Sequence, residues 1–256
     1  MKRQNLRQSI LLISFLLFPI TQFYFSPYII LSAAAKGIIN GSLIVFTILL
    51  FGGMFIGRAF CGWFMPCGSL QEICFNVNGK QAKGGKLNLL NYFIWIIWLV
   101  AIVGTVVRVG GYKAIDPFYF TKNGISVSGP IMYIIYYGVL LIFISMSFIF
   151  GKRATCHYLC WMAPFMVLGR KIGSLLRLPS LHLSSDPVNC VKCNQCNREC
   201  PMSLDVMEMV RSQRMDNSEC ILCGKCIEVC KTKVIKYSFG VSQKKLNYEN
   251  VQSVRR

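Results

Sequence analysis

Apolar residues run in long uninterrupted stretches through the first 150 positions and in short, broken ones afterwards. Four stretches reach the roughly 20 mostly apolar residues that a bilayer-crossing helix needs. They are Ile10–Leu31, Ile38–Gly57, Leu89–Val107 and Ile131–Phe150, and none contains Asp, Glu, Lys or Arg. The pattern predicts a four-helix transmembrane domain over residues 1–178. The first stretch outlasts the apolar part of a cleavable leader, so it is expected to be retained despite the small residues Ala33 and Ala35. Pro19 and Pro27 are expected to kink it rather than end it. A fifth stretch, Tyr158–Leu178, is interrupted by Arg170, Lys171 and Arg177 and reads as a helix lying on the membrane surface.

Charge adds an orientation. The 256 residues hold 28 Lys and Arg against 10 Asp and Glu, and residues 1–178 hold only two acids, Glu72 and Asp116. With the N-terminus inside, the inner connections collect Lys2, Arg3, Arg7, Arg58, Lys80, Lys83, Lys86, Lys152, Arg153, Arg170, Lys171 and Arg177. The outer ones keep Lys36, Arg108, Lys113 and Lys122. By the positive-inside rule this multi-pass chain has both termini in the cytoplasm, at the cell membrane. All 13 cysteines then lie on the cytoplasmic side, where thiols stay reduced and available to metal. The basic surplus reads as membrane flanks, and no Lys/Arg stripe interleaved with aromatics points to nucleic acid.

Past Pro179 the composition turns polar and a repeat begins: Cys190-x2-Cys193-x2-Cys196-x3-Cys200-Pro201, then Cys220-x2-Cys223-x2-Cys226-x3-Cys230. This is the spacing of bacterial two-cluster ferredoxins. Three thiolates on one tight loop cap three irons of a cubane, and the fourth cysteine, one helical turn on, reaches the other cluster. The expected ligand sets are therefore crossed. Cys190, Cys193, Cys196 and Cys230 hold one [4Fe-4S] cluster; Cys220, Cys223, Cys226 and Cys200 hold the other. Zinc bound by four cysteines is the alternative, but this doubled spacing is rare for it. An α+β ferredoxin domain is expected over 179–240, with a short helix through Leu204, Met207, Val210 and Met215 and a basic tail at 241–256.

Two more cysteine groups follow the second and fourth stretches. One reads Arg58-Ala-Phe-Cys61-Gly-Trp-Phe-Met65-Pro66-Cys67-Gly68, the other Lys152-Arg153-Ala-Thr-Cys156-His157-Tyr-Leu-Cys160-Trp161-Met162. Each lies behind a basic residue, so the chain repeats a unit of two helices and a cysteine pair. Side by side, the units bring Cys61, Cys67, Cys156 and Cys160 together as a candidate third metal site. Met65, Met162 and His157 add donors that admit Cu(I). Gly62 and Gly68 are expected to turn the loop tightly, Cys74 to be a small buried apolar residue, and His182 to be exposed.

With these motifs in place, the whole chain resembles the membrane-bound polyferredoxins of the NapH/NosR type. The resemblance implies four spans, two cytoplasmic C-x3-C-P motifs, a terminal pair of [4Fe-4S] clusters, and electron exchange between the membrane quinol pool and a redox partner. Met65 stands where that family's first motif has its second cysteine, and Trp161 replaces the proline of the second. No catalytic triad, phosphate loop, dinucleotide fingerprint or flavin motif is present. The expected role is an iron–sulfur electron-transfer subunit in the membrane, with quinone as a further candidate cofactor. The alternative is a maturation or regulatory factor that delivers electrons or copper to a metalloenzyme.

Overall fold

The computed structural model describes residues 2–77, 79–82 and 88–241. The first half contains α1 (Lys2–Leu16), α2 (Phe18–Thr21), a 3-10 turn (Gln22–Phe25), α3 (Pro27–Ala34), β1 (Ile38–Asn40), α4 (Gly41–Ile56), α5 (Ala59–Trp63) and α6 (Pro66–Val77). Then come α7 (Asn88–Val109), β2 (Ala114–Asp116), α8 (Pro130–Phe150), α9 (Ala154–Tyr158) and α10 (Ala163–Leu175). The C-terminal part carries β3 (Ser180–Ser185), α11 (Gln195–Arg198), α12 (Val206–Arg211), α13 (Lys225–Glu228) and β4 (Ile235–Gly240). Lys83, Lys86 and the tail from residue 242 lie outside the described residues.

Two described helices, Leu89–Val109 and Pro130–Phe150, are long and apolar enough to cross a bilayer. The first expected span departs from its prediction. It starts at Lys2 and breaks, with Lys2–Leu16 and Phe18–Phe25 meeting at 58°, so it counts as a third span only if the bent pair is one. Pro27 opens α3 instead of kinking a continuous helix, because a proline without an N–H is tolerated in a first turn. The second expected span shortens to the 16 residues of Gly41–Ile56. Ile38–Asn40 is drawn into a parallel pairing with Ala114–Asp116, and Asn40 then caps α4 by accepting from the Leu43 N–H at 3.1 Å.

The fifth apolar stretch does not lie apart on a surface. It divides into α9 and α10, and α10 packs along α4 so closely that an added Cβ on Gly53 would meet the Met166 carbonyl at 2.8 Å. Gly169 and Gly173 face the Leu50 and Met54 backbones in the same way, a small-xxx-small contact typical of helices packed in membranes. Phe165 of α10 meets the rings of Phe46, Trp95 and Trp98 near edge-on at 5.3–6.0 Å. Trp161 and Trp98 donate to the carbonyls of Phe25 and Pro27, which ties the broken N-terminal arm to the second half.

In the C-terminal part, β3 and β4 pair antiparallel from Ser180 opposite Gly240 to Ser185 opposite Ile235. The two ends of the cysteine-rich segment are thereby closed on each other. Its buried residues Leu183, Val210, Ile221 and Ile235 form one core with Phe46, Met65, Met162 and Met166 of the helical part. The ferredoxin-like segment is therefore seated on the helices.

Candidate functional site

The eight ferredoxin cysteines line two cavities. One is bounded by Cys200, Cys220, Cys223 and Cys226, with Met202, Met209 and Ile221. The other is bounded by Cys190, Cys193, Cys196 and Cys230, with Met207, Val210 and Val234. The partition is the crossed one: Cys200 and Cys230 each face the other repeat's loop. Helix α12 lies over both, with Met207 in one lining and Met209 in the other.

Backbone geometry repeats with the motif. Lys192 and Leu222, Asn194 and Gly224, and Ser203 and Lys233 occupy equivalent places and all have positive φ, from 50° to 73°. Such left-handed positions turn successive N–H groups inward as anion-binding nests. At Gly224 the residue type is also dictated by space, because a Cβ would stand 2.6 Å from the Tyr237 hydroxyl. Burial, with neighbouring thiols adding to it, pushes Cys220 up to about 12 and Cys200 up to about 11. Cys230 moves down: burial opposes the shift, but the Thr232 hydroxyl and nearby backbone N–H groups outweigh it. Grouped thiols in a cradle of N–H donors fit an iron–sulfur cluster, whose positive irons neutralise the thiolates.

Cys61, Cys67, Cys156 and Cys160 all line one apolar cavity of about 580 Å³, but among the described residues no three Cys, His, Asp or Glu side chains are grouped closely enough to hold a single metal ion. Met65 and Met162 share its lining, and Met166 Sδ lies 3.6 Å from Cys61 Sγ. Its other walls are Phe18, Phe23 and Phe25 from the broken arm and Met132, Ile135, Val139 and Phe143 along one face of α8. Tyr28 and Ile131, at its rim, are 67% and 68% exposed. Two polar atoms in the lining, Gln22 Oε1 and Thr155 Oγ1, are buried without a hydrogen-bond partner. Cys74 is buried in α6 as expected. His157 is buried on the far side of the cysteine loop, its Nδ1 3.8 Å from Glu219. His182 is half-buried on β3.

The sequence reading missed what joins these cavities. Arg7, Arg58, Lys152 and Arg153, counted there as membrane flanks, are at most 3% exposed. Arg7 makes a two-pronged contact with Glu72 at 2.7 and 2.8 Å, and Arg153 reaches the same carboxylate at 2.6 Å. The two guanidiniums also donate to the carbonyls of Gly62 and Cys61. Gln4 donates to the Cys223 carbonyl, Trp63 to that of Leu222, Arg58 to Ser218 and Glu219, and Lys152 to Arg198. Gly62 and Gly68 are there for close approach, not for a tight turn. Gly62 sits against the Ile221 carbonyl, and a Cβ on Gly68 would stand 3.1 Å from the Arg153 guanidinium. The one available signal was the isolation of Glu72, a single acid among cations.

Comparison with known proteins agrees with this layout. A 4Fe-4S dicluster domain model matches residues 182–231. A 4Fe-4S binding domain model matches twice, at residues 41–83 and 132–179, once for each helix-and-cysteine unit. The chain is 25% identical over 218 residues to an uncharacterized protein of Methanocaldococcus jannaschii, covering 82% of this chain and 84% of that one. It is 28% identical over 106 residues to the ferredoxin-type protein NapH of Haemophilus influenzae, covering 39% and 35%. To YccM of Escherichia coli, an electron-transport candidate by its name, it is 22% identical over 198 residues, covering 69% and 50%. The chain thus spans half of YccM and about a third of NapH. No solved structure matches it significantly. The class is iron–sulfur electron transfer through ferredoxin-type domains. Within that class, the matches and relatives support a NapH-like polyferredoxin.

The charge bridge makes a direct prediction. Arg153 and Arg7 hold Glu72 down from 4.5 to about 2 against its burial. A carboxylate depressed in the folded state stabilises fully above about pH 4.5, and that contribution is lost as the pH falls towards 2. Glu72→Gln leaves two buried cations without their shared anion, a loss expected to cost about 3–5 kcal/mol. Thermal unfolding in detergent at pH 7 checks it; a melting temperature equal to the parent's would show that the bridge contributes nothing.

Proposed function

We propose that the chain is a membrane-anchored relay that passes electrons between lipid-soluble quinol and a soluble redox partner. One observation carries the reading. The apolar, sulfur-lined cavity and the Cys220–Cys226 loop share a wall, where the backbone of Gly62, next to Cys61, rests on the Ile221 carbonyl. The second cavity lies beyond that loop, and Cys193 on its outer side is exposed. The order runs from the membrane cavity through the buried thiols to a cluster near solvent, where Val188 and Val191 are also exposed.

In this reading Cys220, Cys223, Cys226 and Cys200 hold the inner [4Fe-4S] cluster, and Cys190, Cys193, Cys196 and Cys230 the outer one. Such clusters store and release one electron at a time. A third centre at Cys61, Cys67, Cys156 and Cys160 is supported by buried guanidinium donors left without a hydrogen-bond partner: Arg58 Nε and Nη2 and Arg153 Nε. Buried donors are rarely orphaned, and an anionic thiolate-bound group would satisfy them. Gln22 and Thr155 offer two unpartnered polar contacts in an otherwise apolar lining, as a quinol site needs. Glu72, kept ionised by two arginines, is a structural anion and not the proton acceptor. The copper-delivery reading rests on the soft set of Met65, Met162, Met166 and the four thiols.

Metal content tests the cofactor assignment. Anaerobically purified full-length protein should hold about twelve irons and twelve sulfides, four of each per cluster. About eight of each would remove the third centre, and copper without extra sulfide would favour the delivery reading. Cys230→Ser should bleach the spectrum of the cluster held by Cys190, Cys193 and Cys196; loss of the neighbouring one would refute the crossed sets.

Gln22→Leu and Thr155→Val test the quinol site. Each should raise the quinol concentration needed for half-maximal cluster reduction by roughly three- to tenfold, as one lost hydrogen bond implies, with dithionite reduction unchanged. An unaltered quinol response in both variants would exclude the cavity. The proposed orientation, with both termini in the cytoplasm, follows the charge asymmetry. Reporter fusions at Lys36 and Lys122 should read outside and a fusion after Arg256 inside; an outside signal at Arg256 would invert it.

A further inference from the structure

A second large cavity, of about 770 Å³, lies where α4 ends and α10 meets the ferredoxin-like segment. Arg58, Arg170, Lys171 and Arg177 line it, opposed by the single carboxylate of Asp216. Arg170 is engaged, donating to Ser180 Oγ and lying 3.4 Å from Asp216. Lys171 and Arg177 are exposed and have no ion pair among the described residues. The cavity therefore has a net positive lining with two free cations at its mouth.

Its position is as informative as its charge. The end of α10 turns in a left-handed cap, in which the Leu178 N–H bonds to the Gly173 carbonyl at 2.9 Å and the Arg177 N–H to that of Ser174. The residue with positive φ in such a cap is usually glycine, but here it is Arg177, at 55°. The fold thus accepts a strained backbone that sets this arginine at the mouth of the cavity. Beside it, Leu175 and Leu176 are 82% and 60% exposed. Apolar side chains facing outwards next to cations mark the level where acyl chains meet headgroups.

We propose that this cavity binds the phosphate headgroup of an anionic membrane phospholipid, with Lys171 and Arg177 contacting the phosphate and Leu175 and Leu176 lying along the acyl chains. Free inorganic phosphate would make no use of the two leucines, whereas a lipid engages both the cations and the apolar side chains. The site is separate from the quinol cavity, although Cys220 borders both it and the inner cluster cavity, and its occupancy is read as lipid binding and not as electron transfer.

The test uses the full-length protein in neutral detergent, titrated with short-chain phosphatidylglycerol, phosphatidylcholine or inorganic phosphate, with bound molecules counted by native mass spectrometry. Phosphatidylglycerol should bind at least tenfold more tightly than phosphatidylcholine. The double variant Lys171→Gln/Arg177→Gln should weaken phosphatidylglycerol binding about thirtyfold, as two lost cation–lipid contacts imply. Lys171→Arg/Arg177→Lys should keep the preference, which separates lost charge from misfolding. Equal affinity for the two lipids, or full displacement of phosphatidylglycerol by millimolar inorganic phosphate, would overturn the proposal. Unchanged binding in the charge-removing variant would overturn it too.

Discussion

The buried bridge of Arg7, Glu72 and Arg153 is the constraint on which the assembly depends. It joins the start of α1, the middle of α6 and the loop before α9, three segments separated by more than 60 residues at each step. Taking these charges from water is costly, and only their mutual geometry offsets the cost. The guanidiniums satisfy Glu72 and still have donors left for the carbonyls of Cys61 and Gly62. The first cysteine loop is thereby held in place from both sides. That loop, in turn, is the floor on which Ile221 and its neighbours sit. Around that floor, Gln4, Arg58, Trp63 and Lys152 add direct hydrogen bonds from the helical part to the ferredoxin-like segment.

A fixed position matters for electron movement, because transfer falls off steeply with separation. The chain keeps its cavities close by placing backbone against backbone at Gly62 and Ile221, where any side chain would intervene. It also places positive charge between them. Arg58 bonds to Ser218 and Glu219 on one side and lies beside Cys61 on the other. In a setting of low dielectric, such cations stabilise thiolate-bound groups that carry net negative charge. Basic residues that would otherwise only orient helices in a bilayer thus act as counter-charges inside the protein.

The two positive-lined and sulfur-lined cavities divide the membrane-proximal part by chemistry. The sulfur-lined one is walled by aromatic and aliphatic side chains from α8 and the broken N-terminal arm, and it exists because that arm bends at 58° instead of running straight. The basic one lies at the end of α10, whose last turn leaves Leu175 and Leu176 uncovered. Both are products of helices that depart from plain spanning rods.

Much of this was legible in the chain itself. The doubled cysteine spacing anticipated which cysteines share a cavity, Cys200 with the second loop and Cys230 with the first, because a four-cysteine motif on a tight loop has few geometries open to it. The apolar runs named α7 and α8, whose lengths are set by local composition alone. The pairing of the four membrane-proximal cysteines followed from the repetition of the unit. Only the tertiary structure decided the rest. Whether Pro27 kinks a helix or begins one depends on what surrounds it, and so does whether Ile38–Asn40 is helix or strand. Arg7, Arg58 and Arg153 look like any other flanking cations until distant segments fold over them. A charge's role is set by its neighbours in space, and those neighbours lie 55 to 161 residues away along the chain.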